Sequence, residues 1–137
     1  MLEYKEMINL FAIIVCVIIY WVLGAIWFSP KVFGKKWSEA LGKNLEDLGP
    51  DLKQGLGSLI TAIIATSILA FLLELIGTYD AFTGFLVGLL IGVGFIFTVD
   101  LYDVLFEQKS VIAFIFDIGY HIVALMIIGI ILGIWKV

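Results

Sequence analysis

The chain has 137 residues, of which 63% are hydrophobic and 15% are charged. Soluble domains are usually about 45–50% apolar and about 25% charged, so a globule of this size has more apolar surface than it can bury. The high apolar fraction excludes a disordered chain, and the net charge of −4 with no arginine excludes a basic nucleic-acid binder. The lone Cys16 excludes a disulfide-stapled secreted domain. The composition predicts a lipid bilayer as the solvent and no nucleic-acid partner.

Four apolar segments are long enough to cross a membrane. They run from about Ile8 to Phe28, Leu56 to Gly77, Ala81 to Phe106 and Val111 to Trp135. Each has at least the ~20 residues that a spanning helix needs, and none alternates as a barrel strand does. The first lacks a small-residue cleavage site and is expected to be a retained helix. The sequence thus predicts an all-α integral membrane four-helix bundle that forms a single domain over residues 1–137.

The connections between these helices differ in length. The second (78–80) and the third (107–110) are tight turns, so helices two, three and four are expected to be antiparallel neighbours. The first connection, residues 29–55, is long. In it Ser29 is predicted to cap a short helix that has Pro30 in its first position.

The same connection has the pattern of a short amphipathic helix that lies in the headgroup layer. Its apolar residues fall at helical spacing, at Phe33, Trp37, Ala40 and Leu41. Its lysines lie elsewhere on the helical wheel, at Lys31, Lys35, Lys36 and Lys43. Gly42 and Asn44 are expected to end this helix, and a second short turn is expected after them.

The distribution of lysine predicts the orientation of the chain. Six lysines fall in the long loop and the third turn, whereas Lys5 and Lys136 are the two on the opposite side. Under the positive-inside rule, a multi-pass protein of the cell membrane would have its long first loop in the cytoplasm and both termini outside.

Four acids fall within the predicted spans, with no lysine among them: Glu74, Asp100, Asp103 and Asp117. Ionisable groups at membrane depth are costly and are functional candidates by default. Asp100 and Asp117 are equally far from the centre of the third turn, so both are expected about 13 Å from it. Tyr20 and Thr66 have a similar depth, with His121 one turn deeper. The candidate proton- or cation-binding residues are Tyr20, Asp100, Asp103, Glu107, Asp117 and His121.

Two interpretations of these residues are open at this point. In the first, the carboxylates and the imidazole form a centre that binds protons or a divalent cation. In the second, the third turn projects from the membrane, so that Asp100, Asp103 and Asp117 lie in the headgroup zone. His121 is then a packing histidine, hydrogen-bonded to Asp117 or Asp100.

Glycines and aromatic residues also follow patterns typical of membrane helices. Small residues recur every four positions on helices three and four, at Gly84, Gly88, Gly92, Gly129 and Gly133. Such faces allow close helix approach, either within the chain or at the seam of a homo-oligomer. Trp27, Trp37, Tyr79 and Trp135 fit interfacial belts. Tyr20 and Trp21 are too deep for a belt and need polar partners.

Two stretches of the chain resemble a known family. Residues 24–37 (GAIWFSPKVFGKKW) look like the end of helix one and the following loop in domain-of-unknown-function family 1761. Residues 103–107 (DVLFE) and 116–121 (FDIGYH) resemble its signature in the third turn and helix four. The positions that carry the match are Trp27, Ser29, Pro30, Phe33, Gly34, Trp37, Glu107, Gly119, Tyr120 and His121. The resemblance implies a small membrane protein of four helices, and it implies no activity.

The leading hypothesis is a membrane protein without covalent chemistry that moves or senses protons, cations or a small solute. Its titrating centre would be Asp100, Asp117 and His121. One alternative is a membrane enzyme whose metal is held by Asp100, Asp103, Asp117 and His121. Another is an accessory subunit that packs against a second membrane protein through its glycine faces. No catalytic residue and no particular cofactor is predicted.

Overall fold

A computed structural model describes residues 9–49, 51–77 and 80–135. The regular elements in this part of the chain are all helices. They are α1 (Leu10–Trp27), α2 (Gly34–Ala40), α3 (Leu45–Leu48), α4 (Leu52–Ile76), α5 (Ala81–Phe106) and α6 (Val111–Ile134). The four long helices, α1, α4, α5 and α6, are long and apolar enough to cross a membrane. The predicted all-α class with four spanning helices is confirmed. Lys5, the predicted start of helix one at Ile8, Thr78 and Tyr79 of the second connection, and Lys136 lie outside the described residues.

The first connection differs from its prediction at both ends. Ser29 does not cap the short helix, because its hydroxyl donates back to the carbonyl of Ile26 at 2.7 Å. Residues 29–33 form turns, and α2 starts at Gly34. At the other end α4 begins four residues earlier than predicted, since the carboxylate of Asp51 accepts the backbone N–H of Gln54 at 2.7 Å and caps the helix. Between them, Gly42 at φ 70° follows the end of α2 as expected.

The buried core lies between α1, α4 and α6. Its fully buried side chains include Cys16 of α1, Leu69 and Leu73 of α4, and Ile128 of α6. Within an 18-residue window of each long helix, only 17–28% of the residues are buried inside the chain. The remaining apolar side chains face outward, as expected where lipid surrounds the helices.

Helix α5 packs against α6 through the predicted glycines. A Cβ atom added to Gly84 would overlap the carbonyl oxygen of Gly129, and one added to Gly129 would overlap that of Gly84. Gly88, Gly92 and Gly133 are also buried in this contact. These glycines therefore serve packing within the chain, so their faces are not open to an accessory partner or to a second copy. Association into a homo-oligomer stays a prediction that would need another surface.

The middle of α5 contains a π-helical turn at Gly92–Ile96. Such a turn holds one extra residue, so the residues after it are rotated by about 100° relative to a regular α-helix. A regular helix would continue the glycine face through Phe95 and Val99, but these are 69% and 64% exposed. Asp100 and Asp103 are half-buried instead. The π turn thus brings these two acids to the side of α5 that faces α6.

Candidate functional site

Polar side chains from four elements meet at the end of the bundle where the first connection lies. They come from α1, α2, α5 and α6 and from the turn between α5 and α6. We call them the loop-side cluster: Tyr20, Trp37, Asp100, Asp103, Lys109, Asp117, Tyr120 and His121. Five of the six predicted proton- or cation-binding residues belong to it, and Glu107 does not.

The deepest contact of the cluster joins Tyr20 of α1 to His121 of α6. The Tyr20 hydroxyl and His121 Nδ1 lie 2.6 Å apart, and the Tyr20 side chain is buried. The partner of His121 is therefore a tyrosine, and the expected hydrogen bond to Asp117 or Asp100 is not formed. Both carboxylates nevertheless lie within electrostatic range of the imidazole. A shared proton in this pair resides on the phenol oxygen or on Nδ1, depending on the tautomer.

Tyr120 holds the backbone of Tyr20 from the other side. Its hydroxyl donates to the Tyr20 carbonyl at 2.8 Å, and the two rings pack edge to face with centroids 5.5 Å apart. Gly24 makes room for this contact, because a Cβ atom at that position would lie 2.7 Å from the Tyr120 hydroxyl. Tyr20 is thus fixed both at its side chain and at its main chain.

Asp117 has a partner for each of its carboxylate oxygens. The indole N–H of Trp37 donates to Oδ1 at 2.9 Å, and Lys109 Nζ lies 2.5 Å from Oδ2. Although no lysine lies within the predicted spans, Asp117 therefore has a basic partner. The partner comes from the turn, where Gln108 adopts a left-handed φ of 59° and the N–H of Lys109 donates to the Asp103 carbonyl. This conformation returns the lysine side chain towards α6.

The charge of Lys109 is stabilised by more than one acid. Burial lowers the pKa of Lys109, but the hydrogen bond and the charge of Asp117 raise it, together with the charges of Asp100 and Asp103. The pKa of Lys109 is therefore raised above its ordinary value. Three carboxylates act on one ammonium group, so the cluster has an excess of negative charge beside the Tyr20–His121 pair.

Some predicted polar positions lie elsewhere. Glu107 is exposed after the end of α5, where its N–H donates to the Asp103 carbonyl. Thr66 is fully buried, but its hydroxyl has no hydrogen-bond partner within the described chain and does not join Tyr20. The expectation that the deep Trp21 needs a polar partner is confirmed, because its indole N–H donates to the Ser58 hydroxyl at 2.9 Å.

The arrangement does not provide the proposed metal site. Within residues 9–49, 51–77 and 80–135, no three His, Cys, Asp or Glu side chains lie close enough together to hold a metal ion. Asp117 forms an ion pair with Lys109, and one imidazole nitrogen of His121 is hydrogen-bonded to Tyr20. Two of the four predicted ligands are thus engaged in other contacts.

The two stretches that carry the family resemblance face each other in the fold. The indole N–H of Trp27 donates to the Phe116 carbonyl at 3.1 Å, and Gly119 leaves space for the Trp27 ring. Phe33 packs between them, with its ring centroid 4.8 Å from that of Trp27 and 5.1 Å from that of Phe116. The shared motif is therefore a structural contact between the end of α1, the following turn and α6.

Sequence reasoning missed Trp37 and Lys109 as partners of Asp117. Trp37 lies 80 residues before Asp117, and its sequence position predicts a place in an interfacial belt. Lys109 lies only eight residues before Asp117, and its place in the tight turn is the local signal that could have indicated the ion pair. Spacing alone did not reveal that the turn folds back.

Comparisons with known proteins agree with the motif. A family model described as "Protein of unknown function (DUF1761)" matches residues 11–133, which is most of the chain. That description states no activity. Searches of curated proteins and of solved structures gave no match.

Proposed function

We propose that this chain, which belongs to the DUF1761 family, is a membrane protein that moves protons through its loop-side cluster. The observation that carries the proposal is the 2.6 Å contact between Tyr20 and His121, with Asp100 and Asp117 within electrostatic range. Histidine changes its charge near neutral pH, and a phenol hydrogen-bonded to it can take either role in sharing the proton. The Tyr20–His121 pair would be the proton-accepting centre.

The order of the groups along α6 supports a path from the loop side. Lys109 and Asp117 lie nearest the end of the bundle, and His121 is one helical turn deeper, about 6 Å along the axis. Tyr20 continues the path to α1. Because Lys109 occupies Asp117 Oδ2, a proton that binds there would displace the ammonium group. Uptake of a proton would thereby be coupled to movement of the turn between α5 and α6.

The length of α1 supports a position for this path relative to the bilayer. Its 18 residues span about 27 Å, close to the ~30 Å of the hydrocarbon core. Phe11 contacts Trp135 at one end, and Trp27 reaches Phe116 at the other. Asp117 would then lie near the loop-side boundary, with Tyr20 about 10 Å deeper. We further propose that this boundary is the cytoplasmic one, because the lysines are concentrated there.

The proposal is tested by proton flux into liposomes that contain the purified full chain and a trapped pH-sensitive dye. We expect wild-type flux above that of empty liposomes. His121→Ala removes the acceptor, and Asp117→Asn removes the carboxylate on the loop side, so either change should lower the flux at least about tenfold.

A matched control is Trp21→Phe, which also removes a hydrogen bond between two long helices but leaves the cluster intact. Its flux should stay close to the wild-type value. Wild-type flux equal to that of empty liposomes would show that the proposal is wrong. Unchanged flux in both His121→Ala and Asp117→Asn would show the same for the assigned centre.

A further inference from the structure

We infer that α2 binds the headgroups of anionic phospholipids through a surface of exposed lysines. This α2 lysine surface consists of Lys31, Lys35, Lys36 and Lys43. All four side chains are exposed, and none forms an ion pair with another residue in the described part of the chain. Clusters of four or more lysines beside a spanning helix have the charge that anionic headgroups attract.

Charge is segregated along the first connection. Residues 30–43 contain the four lysines and a single acid, Glu39, whereas residues 44–51 contain three acids and no lysine. The positive charge is therefore concentrated on and around α2 and is not cancelled within that helix. A long loop that only followed the lysine bias of cytoplasmic segments would not require this local separation.

The opposite side of α2 is fixed to the bundle. Gly34 and Ser38 are buried, and Trp37 donates its hydrogen bond to Asp117. Helix α2 thus lies along the first turns of α6. Because its buried side faces the bundle, Lys35 and Lys36 point away from it, and the exposed Lys31 and Lys43 flank the helix at its two ends.

The expected depth of α2 in the bilayer favours lipid as the partner of the α2 lysine surface. In the turns of α6 beside it, the side chains of Ile112 and Ile115 are 58% and 56% exposed. Side chains of this kind need a cover of acyl chains, which places α2 at the level where headgroups meet the hydrocarbon. Long lysine side chains at this level reach lipid phosphates by extending towards the headgroups. A nucleic acid or an acidic protein would have to reach a helix that lies within that layer.

The inference is tested with the full chain in vesicles of phosphatidylcholine, to which spin-labelled phosphatidylglycerol or spin-labelled phosphatidylcholine is added. The immobilised fraction of each probe gives a relative association constant. Each lysine near an anionic surface contributes roughly fivefold in affinity. We therefore expect wild-type protein to prefer phosphatidylglycerol at least about fivefold at low salt. The preference should fall towards one in about 1 M salt, where the Debye length is about 3 Å.

The quadruple change of Lys31, Lys35, Lys36 and Lys43 to Gln should abolish the preference, and the same four changes to Arg should keep it. Lys53→Gln is a further control, because this exposed lysine belongs to α4. A wild-type preference near one, or an unchanged preference in the Gln variant, would overturn the inference. The experiment does not depend on proton movement, so the two proposals fail separately.

Discussion

Asp117 takes its two partners from different parts of the chain. Trp37 reaches it from α2, and Lys109 reaches it from the turn between α5 and α6. The sequence predicts that Asp117 is an ionisable group at membrane depth and therefore a candidate member of the functional site. The pairing of Asp117 with Lys109 could not be predicted, because it depends on the left-handed conformation of Gln108. Glycine or asparagine usually indicates such a conformation, and this position has neither.

Replacement of Lys109 by Gln should lower the stability of the folded chain in detergent by about 1.5–3 kcal/mol at neutral pH, since a charge-assisted hydrogen bond is lost. The pKa of Lys109 is raised in the folded chain. Its contribution is therefore fully present below the unfolded pKa of about 10.5 and is lost as the pH rises through the higher folded value. Chemical unfolding from pH 7 to about 11.5 measures the difference.

Lys53→Gln serves as the control for this pH series, because Lys53 is exposed. It should leave the unfolding free energy almost unchanged. A stability difference between wild type and Lys109→Gln that disappears already near pH 8 would contradict the assignment of the ion pair.

At the scale of the element, the glycine face of α5 could be predicted from its sequence, whereas its π-helical turn could not. The spacing of Gly84, Gly88 and Gly92 predicts close contact with another helix, and α6 provides it. The π turn at Gly92–Ile96 has no such pattern. A regular period of 3.6 residues would have placed Asp100 and Asp103 on a different face, so their side of the helix was decided by packing.

Gly84→Ala should destabilise the chain, because its Cβ would overlap the Gly129 carbonyl oxygen and backbone cannot move aside as a side chain can. We expect a loss of about 1–3 kcal/mol, as for other overpacked contacts. Gly57→Ala is the matched control, since nothing lies within 4 Å of its added Cβ. This change should raise stability by up to about 1 kcal/mol.

Unfolding in detergent, followed by circular dichroism, compares the two variants under the same conditions. Equal effects in the same direction would contradict the close contact between α5 and α6. Opposite signs would confirm that the glycine at position 84 is required by packing rather than by helix propensity.

At the scale of the whole molecule, the orientation proposed from the lysine distribution can be tested by labelling. A cysteine at Lys43 should be protected from a membrane-impermeant maleimide in intact cells and should react after lysis. A cysteine at Thr78, two residues after the last residue of α4 in the sequence, should react in intact cells. The wild-type chain is the blank, because Cys16 is fully buried. The reverse labelling pattern would show that the long loop lies outside.

The number, the approximate length and the helical nature of the spans could be derived from sequence alone. This is possible because backbone N–H and C=O groups in lipid can form hydrogen bonds only with one another. The length of an apolar segment therefore suffices to predict a spanning helix. The resemblance of residues 24–37 and 116–121 also predicted the family that the match over residues 11–133 shows.

The tertiary structure decided which polar groups meet. Tyr20 and His121 are 101 residues apart, and Trp37 and Asp117 are 80 apart, so no local pattern reports these hydrogen bonds. The spans contain acids and no lysine, but the fold of the four-residue turn between α5 and α6 pairs Asp117 with Lys109. Such contacts depend on the rotation and level of each helix, which are set by side-chain packing and not by hydropathy.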